Sequence, residues 1–125
     1  MLAGVDLWVV AAIAEEEASG TSPMKAGLNG NKTLSTPGGF WPEVKGTDGR
    51  LGYTFSGVTE ADQTMNFYGQ LRRAMTDYSA GALTNNTWEV MLEFLTNFSA
   101  VRMVRQYGEV WFGKTQSKSL EGIFV

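Results

Sequence analysis

Thr59 to Ser79 reads TEADQTMNFYGQLRRAMTDYS, and its periodicity is the clearest in the chain. Ala61, Met65, Tyr68, Leu71 (or Arg72), Met75 and Tyr78 recur at steps of three and four, the spacing of one helix stripe. Thr59-Glu60-Ala61-Asp62 has the form of a capping box with Asp in the usual Glu position, and Gly81 is a suitable stop. These signals predict a helix over 59–79. Asn85-Asn86-Thr87 then opens a second helix, roughly 88–104, carrying Trp88, Met91, Leu92, Leu95, Phe98 and Val101. The short link predicts that the two helices pack antiparallel. Trp88, Phe94 and Phe98 read as core.

On both sides of this pair the period drops towards 2. Upstream, Phe40 to Val44 and Leu51 to Phe55 read as strands around an Asp48-Gly49 turn, with Pro42 keeping the first at an edge. Downstream, Glu109 to Phe112 and Leu120 to Val125 read as strands joined by a loop over 113–119. The fold class expected is α+β: two antiparallel-packed helices against a small antiparallel sheet. Further upstream, Asp6 is a good N-cap, and Leu7, Val10, Ala11 and Ala14 recur at helical spacing, predicting a short N-terminal helix over 6–18. Residues 20–39, rich in Gly and Pro, read as a long loop or arm ordered by another chain.

Composition narrows the chemistry. The 125 residues fit a single domain, 1–125, with 43% apolar side chains. There is no Cys and no His, so thiolate sites, disulfides and the usual histidine bases and zinc ligands are excluded. No metal site and no cofactor is expected. Ten basic residues against thirteen acidic ones give −3 and no basic face, so nucleic acid is not an expected partner. The longest apolar run, Leu7 to Ala14, is far short of the roughly 20 residues of a membrane span, so no membrane insertion is expected. Asp6 rather than a cation precedes that run, and no targeting segment is read.

Two motifs bear on function. Ala26 to Thr33 has the rhythm of a phosphate loop, but Asn31 and Ala26 stand where that loop needs glycine, so a turn-rich segment is expected instead. Ala11 to Pro23, with Glu15-Glu16-Glu17 followed by small residues, resembles the catalytic-helix motif of lysozyme-like glucosaminidases and transglycosylases. That resemblance covers about a tenth of the chain and implies Glu17 as general acid, with Phe40, Trp41 and Tyr53 lining a sugar groove. Glu17-Ala18 departs from the family's Glu-Ser or Glu-Thr pair.

With no catalytic constellation elsewhere, the leading expectation is a non-enzymatic structural or assembly protein, a virion or phage-tail component made in the cytoplasm and incorporated into a virion. Its partners would be copies of itself or other subunits. The interface residues expected are Glu15, Glu16, Glu17, Arg72, Arg73, Ile123, Phe124 and Val125. The cell-wall lytic enzyme through Glu17 is the alternative.

Overall fold

The computed structural model describes residues 4–13, 16, 20–44 and 46–113. Three strands form one sheet, β1 (Leu7–Val10), β2 (Lys32–Ser35) and β3 (Gly52–Thr54), in that spatial order. Among the described residues there are four helices: α1 (Ser22–Leu28), α2 (Glu60–Ser79), α3 (Thr87–Asn97) and α4 (Ala100–Phe112). Helices and a small sheet are present as the α+β reading expects. Both strand pairs run parallel, however, with Val9 beside Leu34 and Leu34 beside Tyr53.

The change of direction follows from two segments that read differently in sequence. The helix expected over 6–18 does not form at its start: Leu7-Trp8-Val9-Val10 is a strand. A short all-apolar run suits either state, and the branched valines fit a pleated strand. Residues 20–39 are not an extended arm on another chain: they hold α1 and β2, and Ala26, Leu34 and Thr36 are buried within this chain. Pro23 in the first turn of α1 is favoured there because its missing N–H has no intrahelical acceptor. A helix between two strands returns the chain to the same end, which makes the pair parallel.

The sheet is covered on both faces. Leu34 and Tyr53 face α2 and cluster with Phe55, Ala74 and Leu83, against which Leu7, Phe67 and Leu71 pack. Trp41, in a 3-10 turn over Trp41–Glu43, lies beneath the other face; its Nε1 donates to Thr54 Oγ1 at 2.8 Å. Around it cluster Phe40, Val44, Leu51, Val90 and Phe94, so α3 packs on α1 here and does not pair with α2 as expected. Gly27 permits that packing, since a Cβ there would overlap the Phe94 ring. Trp88 is exposed, unlike Phe94, and Phe98 is half-buried against this cluster.

The helix over 59–79 is found as α2, and Thr59 and Asp62 form the capping box. Its buried side is Phe67, Leu71 and Ala74, whereas Met65, Tyr68, Met75 and Tyr78 of the expected stripe are exposed. The helix read over 88–104 is broken at Phe98-Ser99, where Ser99 caps α4 by accepting from the Arg102 N–H. Residues 109–112, read as a strand, complete α4, because the cap and the helical spacing from Val101 onward override local strand preference. The strand expected over 120–125 lies outside the described residues. Among the described residues, no helix is long and apolar enough to cross a membrane.

Candidate functional site

In an open parallel sheet, side chains beyond the carboxyl ends of the strands are freed from the ladder and line a crevice. Here that edge is built from Val10 to Ile13 after β1, Ser35-Thr36 after β2 and Phe55 after β3. Thr36 ties it together: its N–H donates to the Val10 carbonyl at 3.2 Å and its hydroxyl to the Ala12 carbonyl at 2.7 Å. The Phe55 N–H donates to the Ser35 carbonyl at 3.0 Å.

Hollows lie on either side of the Ala12–Thr36 tie. One, about 20 Å³, sits between Ile13, Gly20, Pro23 and Trp41, room for about one water. The other, about 320 Å³, opens between Ile13, Thr36, Phe55, Gln63, Phe67 and Tyr68. That volume lies at the lower end of small-molecule sites. Its wall is a chain of edge-on aromatic contacts, Phe55 to Phe67 at 5.2 Å and Phe67 to Tyr68 at 5.4 Å. Thr36, Gln63 and Thr64 supply the polar rim. An apolar wall with hydroxyl and amide groups around it suits a ligand with one apolar face and a hydroxylated edge.

The amino edge of the sheet is the opposite case. Lys32 is buried at the start of β2, and its Nζ donates to the Gly49 and Ala82 carbonyls at 2.8 and 3.0 Å. Burial lowers its pKa from the ordinary lysine value, against the opposing pull of Asp77 and Glu89. Tyr53 donates its hydroxyl to Asp77 Oδ2 at 2.7 Å. Burial raises the Tyr53 pKa well above the ordinary tyrosine range, helped by the hydrogen bond and charge of Asp77 and opposed by Arg73. Arg73 lies over the Tyr53 ring and donates to the Asp48 carbonyl. Arg50 pairs with Glu89 at 3.1 Å. A cleft of about 380 Å³ lies among these groups, but most of the polar atoms lining it are engaged in holding the 46–50 turn against α2 and α3.

Most of the interface residues singled out from sequence are not among the described residues. Glu15 and Glu17 lie outside the described residues, as do Ile123, Phe124 and Val125. Glu16 is exposed. Arg72 is exposed on the outer face of α2, whereas its neighbour Arg73 turns towards Tyr53. Phe40, Trp41 and Tyr53 are buried core residues. Among the described residues, no group of three or more carboxylates is placed to hold a metal ion. Sequence reading passed over Thr36, Gln63 and Phe67. The Thr59-Asp62 box, which fixes the start of α2 beside the crevice, was the available signal.

The class defined so far is a parallel-sheet unit with helices on both faces and a crevice at its carboxyl edge. No protein-family profile matches the chain, and no solved structure does. Two proteins of known name are similar to it. Maltodextrin phosphorylase of Thermococcus litoralis is 31% identical over 135 aligned positions, covering 96% of this chain and 16% of the relative. Glycogen phosphorylase of Aquifex aeolicus is 42% identical over 55 positions, covering 44% of this chain and 8% of the relative. The chain thus spans about a sixth or less of the relatives it matches. These likenesses correct the expectation of a structural virion or phage-tail protein, since both relatives are named as phosphorylases. The Gly-rich segment that motivated an assembly role is folded within the chain as α1 and β2.

Proposed function

We propose that this chain is the counterpart of one segment of an α-glucan phosphorylase and supplies part of the wall at which a glucan is held for phosphorolysis. The observation that carries this is the 31% identity to maltodextrin phosphorylase along 96% of the chain. The carboxyl-edge crevice supports it. The apolar face of a pyranose ring fits against Phe67 and Tyr68, and its hydroxyls against Thr36, Gln63 and Thr64. Phosphorolysis transfers a glycosyl unit from the glucan to inorganic phosphate, and the rest of the catalytic apparatus would come from sequence equivalent to the other five-sixths of the relative.

A graft tests it. This chain replaces the aligned sixth of the Thermococcus litoralis enzyme, and phosphate-dependent release of sugar phosphate from maltodextrin is measured. The expected result is activity above that of the enzyme lacking the segment, reduced by Tyr68→Ala in the graft. A folded graft with no activity, together with no binding of maltoheptaose by the chain itself, would overturn the proposal.

A further inference from the structure

Thr36 stands where β2 ends, and it is held from several directions. Its N–H donates to the Val10 carbonyl at 3.2 Å. Its own carbonyl accepts from the Gly38 N–H at 2.8 Å and from the Ser35 hydroxyl at 2.9 Å. The residue is 2% exposed. A β-branched side chain has little freedom at χ1, so an anchored backbone also aims the hydroxyl. That hydroxyl reaches past the end of β1 to the Ala12 carbonyl at 2.7 Å. Residues 11–13 have left the sheet there, and Ile13 is 55% exposed. The crevice of about 320 Å³ thus has one wall from a long helix, with Phe67 and Tyr68, and one from a short stretch of irregular chain, Ala11 to Ile13. Behind that stretch lies the hollow of about 20 Å³, lined by Ala12 and Ile13 as well. A gap on that side forfeits packing contacts, so the hydroxyl tie carries more of the work of fixing the wall.

We infer that Thr36 is the positioning residue of the crevice: its hydroxyl sets where the Ala11 to Ile13 wall stands, and so how wide a ring fits against Phe67 and Tyr68. The role rests on the glucan reading of the crevice given above. It acts through Ala12 and needs no contact with the sugar. A hydroxyl has a single proton, and Ala12 takes it, so all that Thr36 can offer a ligand directly is a lone pair. The benefit is preorganisation. A wall fixed before binding costs the ligand nothing to order, whereas a loose one must be ordered at the ligand's expense. Valine and serine separate the tie from ordinary packing. Valine keeps the branched shape of threonine without the hydroxyl, and serine keeps the hydroxyl without the methyl group.

The test is titration calorimetry of maltoheptaose with the full 125-residue chain and its Thr36→Val and Thr36→Ser variants. The NMR order parameter of the Ile13 methyl groups is measured on the same samples, and hydrogen exchange of the β2 amides checks that each variant is folded. Thr36→Val should weaken maltoheptaose by roughly tenfold, the size of one lost hydrogen bond, and should loosen Ile13. Thr36→Ser should stay within about threefold of wild type, with Ile13 as ordered as before. A role in packing alone predicts the opposite order, since valine keeps more of the buried side chain than serine does. Binding by Thr36→Val equal to that of wild type would overturn the role and leave the glucan reading standing. So would Thr36→Ser as weak as Thr36→Val, or an Ile13 equally ordered in all three proteins. Loss of β2 protection in Thr36→Val would show that the hydroxyl holds the fold and not the wall, and would also overturn it. No binding by wild type would remove the glucan reading, and this role with it.

Discussion

The two edges of the sheet use their residues in opposite ways. The amino edge gathers Lys32, Arg50, Arg73, Asp77 and Glu89, and these groups answer one another, the Tyr53 hydroxyl or a backbone carbonyl. The carboxyl edge has few charges and leaves an apolar hollow of about 320 Å³ with a polar rim. A charged cluster thus marks the structural end of this sheet. The end fit for a ligand is the quieter one, where the aromatic wall stays open although Thr36 on the rim is tied to the Ala12 carbonyl. Replacing residues at the first edge should cost stability and spare binding, and replacing them at the second should do the reverse.

Lys32→Ala should have the largest effect on folding. It strips the Gly49 and Ala82 carbonyls of their donor and removes a buried stem, at a cost of about 2–4 kcal/mol in urea unfolding. A loss below about 1 kcal/mol would mean that water replaces the ammonium, and the two edges would then differ less than described.

Tyr53→Phe comes next, at about 1–2 kcal/mol near neutral pH, because Asp77 loses a hydrogen bond. This variant also has a pH signature. The folded protein holds the Tyr53 proton more tightly than the unfolded chain does, its pKa being raised above the ordinary tyrosine value of 10.0. The stabilisation is therefore complete below about pH 10 and is lost as the pH climbs above it. Lys32 works in the opposite sense: its lowered folded pKa means that the cost of burying its charge is relieved as pH rises towards 10.5. Wild type and Tyr53→Phe share the Lys32 contribution, so the difference between them should shrink above pH 10. Unfolding curves collected across that range would check the sign, and a constant difference would refute the assignment.

Arg50→Ala should cost less than about 1 kcal/mol, since its pair with Glu89 is exposed, and the cost should fall further with added salt. Smallest of all on stability is Tyr68→Ala at the carboxyl edge, within about 0.5 kcal/mol, because the ring is mostly exposed. The same change should weaken maltoheptaose binding, measured by titration calorimetry. Lost stability without lost binding would reverse the distinction between the edges.

Legibility in the sequence followed range. The start of α2 was readable because Thr59 and Asp62 satisfy each other three residues apart. The third strand was visible in Leu51 to Phe55, apart from one residue at each end. The central strand was not, because Lys-Thr-Leu-Ser carries only one aliphatic residue and reads as turn. Its lysine can be buried only because carbonyls 17 and 50 residues away come to meet it, and no window of sequence contains that. Once β2 is missed, the sheet loses its middle and its direction. The crevice was hidden for the same reason: Ile13, Thr36, Phe55 and Phe67 belong to four segments and share no motif.

The position of β2 between its two neighbours also governs how the chain must assemble. Each ladder bond of this sheet has β2 on one side. Its partners in β1 lie 25 residues back and those in β3 lie 19 residues ahead, so no strand pairing here is local. Parallel pairing of this kind spends chain entropy on closing a loop before the first bond forms, and it slows folding relative to a bundle of similar length. Until the four residues of the middle strand are in place, the edge strands have nothing to join, and the apolar Leu7 to Val10 stays uncovered in water. The passage through that state, more than the finished fold, is where this chain is most exposed to aggregation.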